Sequence, residues 1–254
     1  MSASPETGLW IEHTCDGNRR AGVRKLAQQG IIVNPADLDE DQAFECNNDG
    51  GEATKRIIEA ARDEMVGLIS LWAWSVNNWK RPPGQQKAVF RVVEAFLQDL
   101  EANWIHLPEN QDVRLVHMGR KERLTQQAPS MMDVMQRVMD ITQDRKGMVV
   151  SLMMDYSGPD EEDRARELWK ADTSRPFTDF LDLPQQGIAW RELDLRIRTG
   201  DGDTDLKHIN SVMSGYTRDK TRDVFPDCLL EDFTPELFRT YLAELRNMKQ
   251  KEGR

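Results

Sequence analysis

Long apolar runs are missing from this chain of 254 residues. No stretch approaches the ~20 consecutive apolar residues that a membrane-spanning helix needs, and Met1 to Leu9 lacks the basic and then apolar regions of a secretory signal. The expected setting is the cytoplasm, with no transmembrane segment. Cysteine is scarce: Cys15, Cys46 and Cys228 are odd in number and far apart, and neither a C-x-x-C pair nor a neighbouring histidine completes a zinc site. They read as reduced thiols. His13, His106, His117 and His208 are equally scattered, which argues against a histidine-based metal site. Positive charge is in deficit, 34 Lys and Arg against 44 Asp and Glu, and the net charge of −10 disfavours unspecific attraction to nucleic acid or to an anionic bilayer. A bound phosphate must therefore meet a local basic pocket. No repeat, low-complexity tract or shift in composition marks a domain boundary.

What is present is core material. Hydrophobic residues at 39% and charged residues at 31% suit a globule, and at about 150 residues per domain the length fits one large α/β unit. Short apolar runs at Leu9 to Thr14, Gly67 to Trp74, Val113 to Met118, Met148 to Met154 and Leu193 to Ile197 read as strands. Helical periodicity lies between and after them, at Glu52 to Met65, Gln85 to Asn103, Ser130 to Gln143, Glu161 to Trp169 and Thr234 to Lys249. The alternation predicts an α/β fold, a single domain over residues 1–254 with a mainly parallel central sheet flanked by helices. Right-handed crossovers put the loops after the strands' C-terminal ends on one edge, where a ligand belongs. Gly30 to Asn48, rich in Asp, Asn and Glu and holding Pro35, reads as an extended loop at about 30–48, either a lid or a passive insertion.

Three segments at predicted strand ends could carry chemistry. In Asp16-Gly17-Asn18-Arg19-Arg20, followed by Gly22, Arg24 and Lys25, one carboxylate sits beside four cations. Gly17 permits a tight turn, Arg19 and Arg20 offer fork-shaped donors to phosphate oxygens, and Asp16 could hold a Mg²⁺ that bridges those oxygens. A charged turn with Asp16 capping a helix is the structural alternative. Ser75-Val76-Asn77-Asn78-Trp79-Lys80-Arg81-Pro82-Pro83 brings small polar groups, an indole and two cations to the next strand end, or simply forms a turn closed by a Pro-Pro stop. Asp194 to Gly200 is a strand with Arg198 at its exit, or an alternating strand with solvated arginines.

In this order the three segments resemble the cis-prenyltransferase family, the undecaprenyl diphosphate synthase type. The resemblance rests on D-G-N-R-R at Asp16 to Arg20, aromatic-Ser-x-x-Asn-Trp-x-Arg-Pro at Trp74 to Pro82, and the aspartate-initiated I-R-T strand at Asp194 to Thr199. Weaker echoes are Met118-Gly119-Arg120, Asp155 to Gly158, and Asp223 to Asp227 before a final helix. It implies a homodimer with a hydrophobic tunnel for a growing chain, and a Mg²⁺-dependent reaction of an allylic diphosphate with a second prenyl unit or another acceptor. Asp16 would position the metal, and Gly17, Asn18, Arg19 and Arg20 would bind the allylic diphosphate. Ser75 and Asn78 would orient the reacting ends or assist proton removal, with Trp79 and Arg81 completing the loop. Arg198 would bind the second diphosphate, and Trp72, Ala73 and Trp74 would lie near the tunnel.

The departures from the family pattern are specific. Ala21 replaces an aromatic, Asn47 stands for a histidine while Gly50 keeps the glycine that follows, and Asp155-Tyr156-Ser157-Gly158-Pro159 loses an arginine. Counting back from Pro226 puts Thr204 and Leu206 where an arginine and a serine would grip isopentenyl diphosphate, and Thr217 near an expected Mg²⁺-binding glutamate. Lys207, His208 and Arg218 are candidate replacement cations. Asp201 to Asp205 has three alternating carboxylates, but Leu206 and Val212 stand where an EF-hand needs glycine and glutamate. A solvated acidic turn or a substitute Mg²⁺ ligand remains.

Met131, Met135 and Met139 recur with Val138 at helical spacing and read as core or tunnel wall, and Glu161 to Arg166 as a solvated helix face. The leading expectation is a prenyltransferase with a short product, branched or cyclised as in lavandulyl-type relatives. The enzymatic alternative passes the allyl cation to water or a non-prenyl acceptor, as tuberculosinyl-type relatives do. A non-catalytic subunit is the third reading, and the intact Asp16 to Arg20 segment speaks against it.

Overall fold

In the computed structural model, which describes residues 3–31, 33, 34, 37–200, 215–217 and 220–251, β1 (Trp10–Thr14) lies between β2 (Leu68–Ser75) and β5 (Leu195–Arg198). With β3 (Arg114–Met118), β4 (Val149–Tyr156) and β6 (Arg222–Val224) the sheet runs β3-β4-β2-β1-β5-β6. Every strand pair is parallel, as the alternation of apolar runs and helices predicts. The single domain forms one α/β unit around this sheet. Among the described residues, no helix is long and apolar enough to cross a membrane.

Pleating sends successive side chains to opposite faces, and both faces are covered. Ile11, Ile69, Leu71 and Leu152 enter one apolar cluster with Ile57 of α2 (Glu40–Asp63), Phe90 of α3 (Pro83–Asp99), Val138 of α5 (Pro129–Thr142) and Phe238 of α8 (Pro235–Lys251). Trp10, Leu68, Val149 and Met153 enter a second with Ala165 of α6 (Gly158–Ala171), Leu183 of the short α7 (Asp182–Gln185), and Tyr216. Met131 and Met135 are buried in the first cluster and Met139 packs against it, so that stripe is core.

Two expectations are corrected here. The irregular segment expected to run to Asn48 ends at Asp39, which caps α2 from Glu40 in a capping box with Gln42. Small residues at helical spacing, Ala43, Cys46, Gly50 and Ala53, form its buried stripe, and the Asp, Asn and Glu between them give the segment its loop-like composition. Glu161 is not on a solvated face. It is 1% exposed, accepts hydrogen bonds from the Tyr156 and Tyr216 hydroxyls and the Asp182 amide, and its carboxyl is pushed up to about 8 by burial and by Asp182. β6 and α4 (Lys121–Gln127) are further elements without a clear periodic signal.

α1 (Asn18–Gln28) leaves the end of β1 and packs on α2 through a glycine. A Cβ on Gly22 would lie inside contact distance of the Cys46 Cα and carbonyl, so only hydrogen fits between the two helices. Gly22→Ala should force the helices apart and cost about 1–3 kcal/mol, the usual range for overpacking. Urea titration checks this, with Gly51→Ala, whose Cβ would meet nothing nearer than Phe96 at 3.7 Å, as the variant expected to lose no stability.

Candidate active site

The C-terminal ends of β1, β2, β4 and β5 border a cavity of about 360 Å³ at the edge where the topology places a ligand. β1 runs into Cys15-Asp16-Gly17, and Gly17 takes φ 106° with Leu229 at 2.9 Å from where a Cβ would stand. The glycine turns the chain directly into α1 and leaves that helix without a side-chain cap. Its first-turn amides, at the positive end of the helix, suit an anion.

Asp16 is held at this turn from several sides. Its Oδ1 accepts the Gly17 N–H at 2.7 Å, Arg198 Nη2 donates to Oδ2 at 3.1 Å, and Arg20 Nη2 stands 3.7 Å from Oδ1. The buried Thr199 hydroxyl accepts the Asp16 N–H at 3.2 Å and donates to the Asp16 carbonyl at 2.8 Å. The Asp16 side chain is still 41% exposed and lines the cavity. Among the described residues, Arg19, Arg20, Arg81 and Arg198 are the cations of that lining, and Asp16 is its one carboxylate. Burial first, and the neighbouring Arg19 second, push the Arg81 pKa down, while Asp16 raises it.

Asn18 packs on Gly50, where any Cβ would collide with its amide, and its buried Oδ1 has no partner among the described residues. Asn47 also lines the cavity and donates to the Ala43 carbonyl at 2.6 Å. On the β2 side Ser75 Oγ donates to Asn78 Oδ1 at 3.1 Å. Deeper walls are Leu71, Ala73, Trp74, Val89, Val92, Val93, Phe96 and Leu152. An irregularity in the β2–β4 register after Trp72 puts Trp74 in the same cluster as Leu71. Trp72 borders the cavity but packs on the second cluster, its Nε1 donating to the Tyr156 carbonyl at 3.3 Å.

The structure thus brings Asp16, Gly17, Asn18, Arg19, Arg20, Trp72, Ala73, Trp74, Ser75, Asn78, Arg81 and Arg198 to one cavity. Trp79 is not among the lining residues, and its Nε1 donates to Asp155 Oδ1 at 2.6 Å. Arg123 Nε donates to Asp155 Oδ2 at 2.8 Å and lies 4.7 Å over the Trp79 ring. Asp155 is buried at φ 53°, and the three residues form a latch behind the Ser75-to-Arg81 loop. Sequence reasoning also missed Gln85, Gln86 and Thr199; amides in the first turn after Pro82-Pro83 were the available signal. Thr204, Leu206, Lys207, His208, Arg218 and the acidic segment Asp201 to Asp205 lie outside the described residues.

Among the described residues no three of His, Cys, Asp and Glu gather as a metal site. A single accessible carboxylate among arginines nevertheless fits Mg²⁺, which commonly takes one or two protein carboxylates and fills its shell with water and substrate phosphate.

A parallel sheet with a basic, apolar-backed cleft at its carboxyl edge is an α/β architecture suited to an anionic ligand. The family model described as "Putative undecaprenyl diphosphate synthase" matches residues 36–253, and the chain belongs to that family of enzymes, the cis-prenyltransferases. The isoprenyl transferase of Aquifex aeolicus (strain VF5) is 28% identical over 210 residues, 81% of this chain and 84% of its own. That of Chromobacterium violaceum is 30% identical over 152 residues, covering 59% and 58%. Lavandulyl diphosphate synthase from Lavandula x intermedia shares the fold with TM-score 0.76 at 23% identity, covering 94% of this chain and 95% of that one. A "probable undecaprenyl diphosphate synthase" from Campylobacter jejuni does so with TM-score 0.67 at 22% identity and the same coverage. The chain is a prenyltransferase of this family.

One charged group lies beneath the site. Glu12 on β1 is fully buried, receives the Thr14 hydroxyl at 2.8 Å, and stands 4.0 Å from Arg196, which stands 3.5 Å from Asp223. Burial outweighs Arg196 and pushes the carboxyl up to about 7. The folded chain then keeps a proton that the unfolded chain releases near 4.5, so this group's contribution to stability falls as pH rises from about 4.5 through about 7. At about 1.4 kcal/mol per pKa unit the loss is on the order of 3 kcal/mol. Glu12→Gln should remove it. The stability of the parent minus that of the variant, from urea titrations at pH 5 to 8, should decline with pH; a flat or rising difference would contradict the protonated Glu12.

Proposed function

We propose that the chain is a Mg²⁺-dependent prenyltransferase that ionises a short allylic diphosphate and condenses it with a second prenyl diphosphate to a short isoprenoid, branched or cyclised in some cases. The observation that carries this reading is the arginine-lined mouth of one cavity whose depth is apolar. The similarity to lavandulyl diphosphate synthase, whose structure holds dimethylallyl diphosphate, supports a short allylic donor.

Ionisation breaks the allylic C–O bond and leaves an anion whose charge must be met as it develops. Arg19, Arg20, Arg81 and the α1 amides meet it at the mouth. Mg²⁺, held by Asp16, would supply further charge neutralisation when bound. Arg198 holds Asp16 in place and offers its remaining donors to the second diphosphate. Ser75 and Asn78 orient the reacting ends or assist removal of the proton. Walls of Val, Leu, Phe and Trp keep water from the cation.

Cavity size supports a short product. The volume of about 360 Å³ has to hold a diphosphate as well as the hydrocarbon, and products of about C10 to C20 are the expected limit. Thr204 and Leu206 in place of an arginine and a serine favour few isopentenyl additions, and they also give weight to the second reading, transfer of the allyl cation to water or a non-prenyl acceptor. A homodimer is part of the proposal: Leu168 and Trp169 on α6 are exposed apolar surface of the kind that an interface buries. The unpaired thiols at Cys15, Cys46 and Cys228 support a cytoplasmic setting.

Asp16→Ala should lower turnover of an allylic diphosphate about 10²- to 10³-fold, the cost of losing one electrostatic element of this kind, with the fold intact by circular dichroism. Full activity in that variant, or undiminished turnover in EDTA, would remove the metal mechanism. For product length, the protein is incubated with farnesyl diphosphate, excess isopentenyl diphosphate and Mg²⁺, and the products are read by mass spectrometry. At most one addition is expected; a ladder of long polyprenyl diphosphates would restore ordinary elongation.

A further inference from the structure

Two of the cations, Arg19 and Arg81, are held by neutral groups. Gln85, in the first turn of α3, is 3% exposed, and its Oε1 accepts a hydrogen bond from Arg19 Nη1 at 3.0 Å. Gln86 beside it ties down the next cation, its Nε2 donating to the Trp79 carbonyl at 3.1 Å and the Arg81 carbonyl at 2.7 Å. One helical turn therefore fixes the head of Arg19 and the backbone of Arg81, two guanidinium groups close enough for Arg19 to lower the Arg81 pKa. The one carboxylate of the lining, Asp16, is engaged by Arg198 and the Gly17 amide.

An acidic side chain at position 85 would hold Arg19 more firmly, by a charge-assisted bond, but it would also cancel the charge. In a half-buried cleft, where water screens weakly, that loss falls directly on any anion the arginine serves. An amide of the same length accepts the same hydrogen bond and leaves the guanidinium fully positive. We propose that Gln85 is a positioning residue that aims Arg19 at the leaving diphosphate while keeping its charge uncompensated. The inference rests on the diphosphate reading of the cavity given above.

Gln85→Glu and Gln85→Met separate this role from simple anchoring, because the two roles order the variants oppositely. If Gln85 only anchors Arg19, glutamate is the better replacement. If charge matters, glutamate is the worse one despite holding the bond. Binding of inorganic pyrophosphate with Mg²⁺ is measured by calorimetry, alongside stability in urea. We expect Gln85→Glu to match or exceed Gln85→Met in stability, yet to bind pyrophosphate about tenfold or more weaker than the parent and weaker than Gln85→Met. Gln85→Glu binding as tightly as the parent, or more tightly than Gln85→Met, would overturn the proposal. Should the glutamate variant not fold, Gln85→Met decides alone: unchanged affinity overturns the aiming of Arg19, and a several-fold loss upholds it. A parent that binds no pyrophosphate overturns the diphosphate reading itself, together with this inference, whereas failure in the variants alone leaves that reading standing.

Discussion

The site depends on one ion pair made at a strand end. Asp16 projects where β1 stops, and Arg198 reaches it from the end of β5, with Thr199 clasping the Asp16 backbone from the same strand. The pair joins two adjacent parallel strands at their carboxyl ends, so the position of the carboxylate is set by the sheet and not by a loop. Gly17 then starts α1 without a side-chain cap, and Arg19 and Arg20 follow inside the first turn of a helix anchored to α2 through Gly22. Four arginines around one carboxylate would repel each other into solvent on a flexible segment. Here they are distributed over one helical start, which carries Arg19 and Arg20, a latched loop with Arg81 and a strand end with Arg198. The cleft is thereby preorganised for a polyanion in a chain whose net charge is −10.

Much of this was legible in the sequence because parallel strands buried on both faces announce themselves as apolar runs, and ligand loops follow such strands directly. Asp16 to Arg20, Ser75 to Arg81 and Arg198 could be assigned to one edge before their distances were known. The rest failed for identifiable reasons. α2 begins at Glu40 because Ala43, Cys46 and Gly50 pack against α1, and small residues carry little hydrophobic signal amid Asp, Asn and Glu. Glu161 looks solvated in a run of charges, yet two tyrosine hydroxyls that converge on it come from positions 5 and 55 residues away, and no local pattern shows that. Trp79 sits in a ligand loop but faces away from the ligand side, since a buried carboxylate with φ 53° at Asp155 offers its indole a partner. Pairings across such sequence distances are set by tertiary structure alone.

The latch also explains how the loop after β2 survives a departure from the family pattern. The segment after β4 lacks the arginine that the resemblance leads one to expect, and a cation against Asp155 is Arg123 on α4. Trp79, stacked under that guanidinium and packed on Trp74 and Phe90, transmits the restraint to the loop. Gln86 closes the other end. Ser75, Asn78 and Arg81 therefore present their polar groups from a segment braced on both sides, which lowers the reorganisation needed when a charged substrate arrives.

Two nucleophilic groups in or beneath the cavity are muted. Cys15 lines it, but burial and the nearby Glu12 push its thiol up to about 12, so it stays protonated and poorly nucleophilic. His13, on the strand beneath, is driven down to about 3 by burial and stacks near Phe233 instead of entering the cleft. The electron-rich faces remain those of Trp74 and Phe96, which can attract a cation without bonding to it. The described lining thus sets four arginines beside a wall of Val, Leu, Phe and Trp.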